Sequence, residues 1–230
     1  MGLPRQFDVC ARRIEAVGLT VRGGFHVRPE DGVPDTAGDV CSLILIGNAG
    51  SSFWPEFRQS TEYRDGRAHP LDRWSERVIG GLGRELSARP LFPFGGPPWN
   101  PFLRWARRAE PVTPSPLGML IHPRYGLWHA WRGALVFNRR LEGLAEPTEA
   151  PSPCLSCVEQ PCLHGCPVHA FDGQGFDVTA CTDHLSGAND CTTQGCLARH
   201  ACPAGKPFEY VQEQRRFHLA AFLGANRRQG

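Results

Sequence analysis

The chain has no long hydrophobic run. Its uninterrupted apolar stretches, Leu43–Ile46 among them, fall far short of the roughly 20 residues that a bilayer-spanning helix needs, so no membrane segment is expected. The N-terminal stretch MGLPRQFDVCARR has neither an apolar h-region nor a small-residue cleavage site, and a cytoplasmic protein is expected. An excess of charge of either sign is also missing: 25 basic residues face 23 acidic ones. The arginines are spread out as Arg12–Arg13, Arg107–Arg108, Arg139–Arg140 and Arg227–Arg228. Without a concentrated basic face, a nucleic-acid partner held by phosphate contacts is not expected, and the pairs read as solvated faces. There is no GxGxxG, so no dinucleotide site is indicated, and no repeat at solenoid period. Cysteine is scarce through the first 150 residues, where only Cys10 and Cys41 occur.

What is present lies mainly at the other end. Eight cysteines fall between Cys154 and Cys202. In a reducing compartment they are not expected to form disulfides. The composition changes near residue 145, and EPTEAPSP (146–153) reads as a linker. The expected organisation is therefore a domain over 1–145 followed by a cysteine-rich module over 150–230.

The first part mixes helix and strand signals. CSLILIG (41–47) is a short apolar run closed by glycine, a buried strand. Leu71, Trp74, Val78, Ile79, Leu82 and Leu86 recur at helical spacing with charges between them, an amphipathic helix. PLFPFGGPPWNPF (90–102) is an irregular loop, because its prolines and glycines break regular structure. Two strands, Leu117–Ile121 and Leu127–Phe137, are expected on either side of a His-Pro-Arg-Tyr-Gly turn. The module reads as loops around cysteines, then a helix over 209–222 with Val211, Phe217, Leu219, Ala220 and Phe222 as its packing face. The tail over 224–230 is expected to fray.

The cysteines fall into two blocks. The first is Cys154-x2-Cys157-x4-Cys162-x3-Cys166-Pro. The second is Cys191-x4-Cys196-x5-Cys202-Pro, with Cys181 upstream. Structural zinc prefers paired CxxC knuckles or Cys/His pairs, and this chain has one CxxC. Bacterial ferredoxins use C-x2-C-x2-C-x3-C-P, whose fourth cysteine ligates the other cluster. The first block matches that run at both ends, with two extra residues in the middle. The pattern points to iron–sulfur clusters over zinc. Histidines 164, 169, 184 and 200 lie among the cysteines and could act as ligands or as donors near sulfur.

With these blocks the module resembles dicluster ferredoxin modules, and among them the C-terminal module of epoxyqueuosine reductases and reductive dehalogenases. The resemblance implies two 4Fe-4S clusters. One would take Cys154, Cys157, Cys162 and Cys202, the other Cys166, Cys181, Cys191 and Cys196. The x4 and x5 gaps depart from the usual spacing.

The first part carries a second resemblance. His122, Pro123, Arg124, Tyr125, Gly126, Trp128, Ala130, Arg132 and Gly133 resemble a segment of the CblC-type cobalamin-processing chaperone family. The stretches IEAVGLTVRGGFHV (14–27) and HPLDRWSERVI (69–79) are similar to other parts of that family. The resemblance implies an α+β fold of the flavin-reductase/nitroreductase type that holds a corrinoid, followed by a loop-rich two-cluster module. As corrinoid contacts it implies His122, Arg124, Tyr125, Trp128 and Arg132, with Trp99, Asn100 and Trp131 beside them. The plain alternatives are a turn histidine at 122, core rings at Trp128 and Trp131, and ion pairs at Arg124 and Arg132. Family residues that handle a thiol cosubstrate have no counterpart after residue 145.

The two resemblances imply one chemistry, a cobalamin-reductase type of oxidoreductase. Low-potential electrons would reach a corrinoid cobalt from a ferredoxin, flavodoxin or reductase, and the upper ligand would be removed. Catalytic residues are not assigned. Flavin, which related folds bind, stays open as a cofactor. The rival readings are a corrinoid-dependent reductase of a separate organic substrate, with Tyr125 as its acid, and an electron carrier whose first domain docks a partner.

Overall fold

The apolar run at 41–47 forms the centre of a sheet. In the computed structural model, which describes residues 5–34, 40–145, 149–173 and 175–226, the chain divides into two compact units. Unit 1 comprises Met1–Pro111 and Ala130–Glu149, and unit 2 comprises Val112–His129 and Ala150–Gly230.

Unit 1 begins with α1 (Gln6–Glu15), β1 (Thr20–His26) and β2 (Ser42–Ala49). β1 and β2 pair antiparallel, with a bulge between Val21 and Gly24. Leu43, Ile44, Leu45 and Ile46 are all fully buried. A continuous apolar run of this kind suits a strand covered on both faces. Next come α2 (Trp54–Gln59), α3 (Thr61–Arg64) and α4 (Pro70–Leu86). α4 buries Leu71, Trp74, Ile79 and Leu82, the face expected from spacing. Trp74 packs with Phe53 and Phe57 at ring-centroid distances of 5.5 and 5.8 Å. β3 (Arg89–Leu91) and α5 (Phe102–Ala109) follow. β3 takes the first residues of the stretch expected to be an irregular loop, and pairs antiparallel with a later strand, β6.

The chain then forms β4 (Thr113–Pro114) and β5 (Leu120–Ile121), a short antiparallel ladder in unit 2. β6 (His129–Phe137) completes the main sheet of unit 1, whose order is β1-β2-β6-β3. β2 and β6 approach closely at Gly47: a Cβ there would lie 1.8 Å from the Ala130 carbonyl oxygen. Only glycine fits. Unit 1 also buries an ion pair. Arg22, fully buried, donates to Glu110 through Nε (2.7 Å) and Nη2 (2.9 Å) and to the Asn48 carbonyl (2.7 Å). Trp131 Nε1 donates to the same carboxylate at 3.1 Å. Every charge is matched, which a buried pair requires.

Unit 2 has little regular structure. Its helices are α6 (Pro161–His164), α7 (Val178–His184), α8 (Asp190–Gln194), α9 (Leu197–Ala201) and α10 (Gln212–Asn226). Asp177 caps α7, its carboxylate accepting from the Ala180 amide at 2.9 Å. Asn189 and Thr192 form a capping box on α8. The core is made of Leu117, Ile121, Leu127, Ala170 and Ala198 together with Cys162, Cys166 and Cys202.

The compact units do not follow one break along the chain, and Val112–His129 groups with the cysteines. The reason is that Leu117, Ile121 and Leu127 share one core with Cys162, Cys166 and Cys202. The strand expected over Leu117–Ile121 is only β5, and Leu127 and Trp128 lie outside β6. The last helix does not bury its expected face: Val211 is 49% exposed and Gln214 is buried. The expected linker lies outside the described residues at 146–148, and the expected fraying tail does so at 227–230. Among the described residues no helix is long and apolar enough to cross a membrane.

Candidate metal centre and its surroundings

The eight clustered cysteines sort into two sets of four. Cys154, Cys157, Cys162 and Cys202 line one small cavity with Pro116, Ile121 and Pro203. Cys166, Cys181, Cys191 and Cys196 line another with Leu185, Leu197 and Ala198. The connections explain the sorting. Cys154 lies in a short 3-10 turn (Pro153–Ser156) that Cys157 ends, Cys162 sits in α6, and Cys202 ends α9. In the second set, Cys181 lies in α7, Cys191 in α8 and Cys196 immediately before α9. Each Cys-Pro step ends a block: Cys166 and Cys202 are each followed by proline, which cannot continue a helix. None of the ten cysteines is in a disulfide.

Electrostatics divides the thiols in the same way. Burial pushes the Cys162 thiol up, and Cys202, Cys154 and Cys157 add to the effect. Burial likewise pushes Cys181 up to about 11, with contributions from Cys196, Cys166 and Cys191. Cys154, Cys191, Cys196 and Cys202 are also raised, chiefly by burial. A cation reverses this logic, because a coordinating thiol gives up its proton. The Cys166 sulfur accepts the Ala170 amide N–H at 3.3 Å. His184 lines the second cavity, and its buried Nε2 has no hydrogen-bond partner. Among the described residues, no three His, Cys, Asp or Glu side chains gather closely enough to grip a single metal ion.

The His-Pro-Arg-Tyr-Gly turn docks onto the segment that follows Cys202. Gly126 has φ +57°, and a Cβ there would lie 2.1 Å from the Ala204 carbonyl oxygen. A Cβ on Gly205 would lie 2.2 Å from the Tyr125 carbonyl oxygen. Two backbones touch at this point, and only paired glycines permit it. Tyr125 meets Phe208 edge-on at 4.8 Å.

The six expected corrinoid contacts fall in both units. His122, Arg124, Tyr125 and Trp128 belong to unit 2, and Trp99 and Arg132 to unit 1. His122 is a turn residue: its Nδ1 accepts the amide N–H groups of Arg124 (3.0 Å) and Tyr125 (3.3 Å), and its ring stacks on Tyr125 at 4.3 Å. The exposed Arg124 lies over the Tyr125 and Phe208 rings at 5.6 and 5.5 Å. Trp128 is fully buried, with the Arg199 guanidinium 4.6 Å from its ring. Arg132 is ion-paired with Asp72 at 2.5 Å and donates to Ser75 Oγ at 3.1 Å. Trp99 is 64% exposed. Of the residues named beside them, Asn100 donates to the Phe92 carbonyl at 3.0 Å.

Sequence reading missed Arg199, Tyr210 and Arg215, and gave Phe222 only a packing role. With Trp128 they surround a larger hollow in unit 2 or its walls. Trp128 and these four residues are far apart in the chain, so no local spacing marks them.

No family model and no curated protein matches the chain. Solved structures share its fold. A selenomethionine-labelled epoxyqueuosine reductase superposes with a TM-score of 0.54 at 14% identity, over 91% of this chain and 68% of that one. The B12-trafficking protein CblC of C. elegans superposes with a TM-score of 0.57 at 13% identity, over 95% of this chain and 94% of that one. At these identities the likeness defines the fold. The chain is a mixed helix-and-sheet protein of the kind seen in CblC and epoxyqueuosine reductase.

Proposed function

We propose that the chain is a two-cluster iron–sulfur oxidoreductase that passes low-potential electrons to a corrinoid, reducing cobalamin and removing its upper ligand. The observation that carries this reading is the sorting of eight thiols into two sets of four. The fold shared with a B12-trafficking protein and with a reductase supports it.

The donor sets suit 4Fe-4S clusters. Each set is four thiols among mainly apolar side chains, with Gln160 beside the first and His184 beside the second, and among the described residues no carboxylate lines either cavity. A cubane is wider than a single ion, so its ligands surround a space and do not meet at a point. When bound, two such clusters supply single electrons at potentials that reach about −700 mV. The protein's own residues do the rest. Cys154, Cys157, Cys162 and Cys202 hold the first cluster, and Cys166, Cys181, Cys191 and Cys196 the second. The Ala170 amide donates to Cys166 and steadies its negative charge. The apolar walls exclude water, which keeps a potential from being set by solvent.

Unit 1 is the flavin-reductase-like part in this reading, and its exposed Trp99 offers a ring to an apolar corrin face. Arg124 supplies a donor for corrin amides. His122 and Tyr125 act behind Arg124 by fixing its turn. The electron donor is a ferredoxin, flavodoxin or reductase.

The test is an absorbance titration of anaerobically purified protein with cob(II)alamin. A shift to the base-off spectrum, in a sample containing iron and acid-labile sulfide, is expected. Iron without a spectral shift would turn the reading towards an electron carrier or a reductase acting on another ligand. Zinc in place of iron would remove the redox role.

A further inference from the structure

Unit 2 holds a cavity of about 250 Å³ whose apolar walls include Trp128, Phe171, Phe176 and Phe222. Phe171 and Phe176 stack at 4.6 Å with 9° between their planes, and Phe222 lies 5.8 Å from Phe176. The polar wall comes from Arg199, Arg215 and His218. This is not the space between the second set of thiols. Only Cys181 and Cys196 of that set reach this cavity, and all four meet around the smaller one beside Leu185 and Ala198.

Three of the lining side chains each carry a buried N–H with no hydrogen-bond acceptor: Trp128 Nε1, Arg199 Nε and Arg215 Nε. A buried donor left without an acceptor costs about 1–3 kcal/mol, and buried polar groups in folded proteins are nearly always satisfied. Three around one hollow indicate a missing acceptor. The charges indicate its sign. Arg215 pairs with Glu209, which also faces His200 and Lys206. Arg199 meets the Leu127 carbonyl and lies 4.6 Å from the Trp128 and Tyr210 rings, and none of these partners is negative. A guanidinium held among rings calls for an anion.

We propose that this cavity binds a compact aromatic carboxylate, of two fused rings or fewer. Its rings pack against the phenylalanines, and its carboxylate accepts from Arg199 and its neighbours. A corrinoid is far too large for the space. The site stands on the geometry of unit 2, and it borders the proposed second cluster: Cys181 and Cys196 line it, and Arg199 lies near the Cys196 thiol.

The experiment is isothermal titration of the purified chain with 1-naphthoate and, separately, with its neutral amide. Saturable binding of 1-naphthoate is expected, at least tenfold tighter than the amide. Arg199→Met should weaken the acid about tenfold and leave the amide unchanged. Leu219→Trp, which fills the cavity, should abolish both. Equal affinity for acid and amide, or no saturable binding by the wild-type chain, would overturn the proposal, and this comparison needs no variant. Iron content measured on the same sample reports separately on the cluster reading.

Discussion

Unit 1 and unit 2 build their interiors from different materials. Unit 1 buries Leu43–Ile46 across a four-stranded sheet and seals it with Trp74, Phe53 and Phe57 from its helices. Its fully buried Arg22–Glu110 pair is closed by hydrogen bonds on every side. Unit 2 has three cysteines among the eight buried residues of its core, and more cysteines packed around them. Its helices, apart from α10, are seven residues or shorter, and its ladder is two residues long on each strand. Such a unit needs a cross-link that its apolar side chains do not supply. The comparison separates what hydrophobic burial holds from what the proposed clusters would hold.

The predictions sharpen that contrast, from the largest effect down. Stripping the metal should melt unit 2 and leave unit 1 folded. Amide hydrogen exchange would show protection lost over 150–226 and kept in β2 and α4; equal loss in both units would break the comparison. Glu110→Ala should act in reverse. It leaves Arg22 buried and unpaired, which costs unit 1 about 3–5 kcal/mol in denaturant unfolding with metal content unchanged. Gly126→Ala sets a Cβ against the Ala204 carbonyl at a left-handed position. It should cost unit 2 about 2 kcal/mol or more and reduce the metal retained after gel filtration.

Two smaller effects follow. His184→Leu removes the buried Nε2 beside the second set of thiols. If that N–H bonds a cluster sulfur worth about 1 kcal/mol, the second centre's midpoint potential should fall by roughly 40 mV in a redox titration. In unit 1, hydrogen bonds from Arg77 hold the Glu62 carboxyl at about 2, below its ordinary 4.5. A folded-state value that is lowered stabilises the protein above about pH 4.5, and the gain disappears as pH falls towards 2. Because the Arg77 side chain is 57% exposed, the contribution is about 1 kcal/mol. Glu62→Gln should remove this pH dependence from thermal unfolding and leave the metal in place.

Local signals in the sequence carried some of this structure. Leu43–Ile46 reads as a strand because every residue in it is apolar, and α4 reads as a helix because Leu71, Trp74, Ile79 and Leu82 keep one face. The two blocks of cysteines stand out in the sequence, whereas their division into fours comes from a family pattern from which the x4 and x5 gaps depart. What local spacing does not encode is contact across the chain. The His122–Gly126 turn rests on the segment after Cys202, through Gly126 and Gly205, a contact that no local spacing marks. Arg132 has the look of a ligand contact in sequence, and in the fold its partner is Asp72, on a helix far upstream. The last helix misled for a different reason. Its apolar residues are too irregularly spaced to define one face, and Gln214 is the residue it buries.

The most direct test of the account is a count of iron and acid-labile sulfide in protein purified without oxygen. The account predicts about eight of each per chain, two clusters of four, with cysteine ligation confined to the eight residues from Cys154 to Cys202. Stoichiometric zinc, or a chain that folds fully with neither metal nor sulfide, would contradict it.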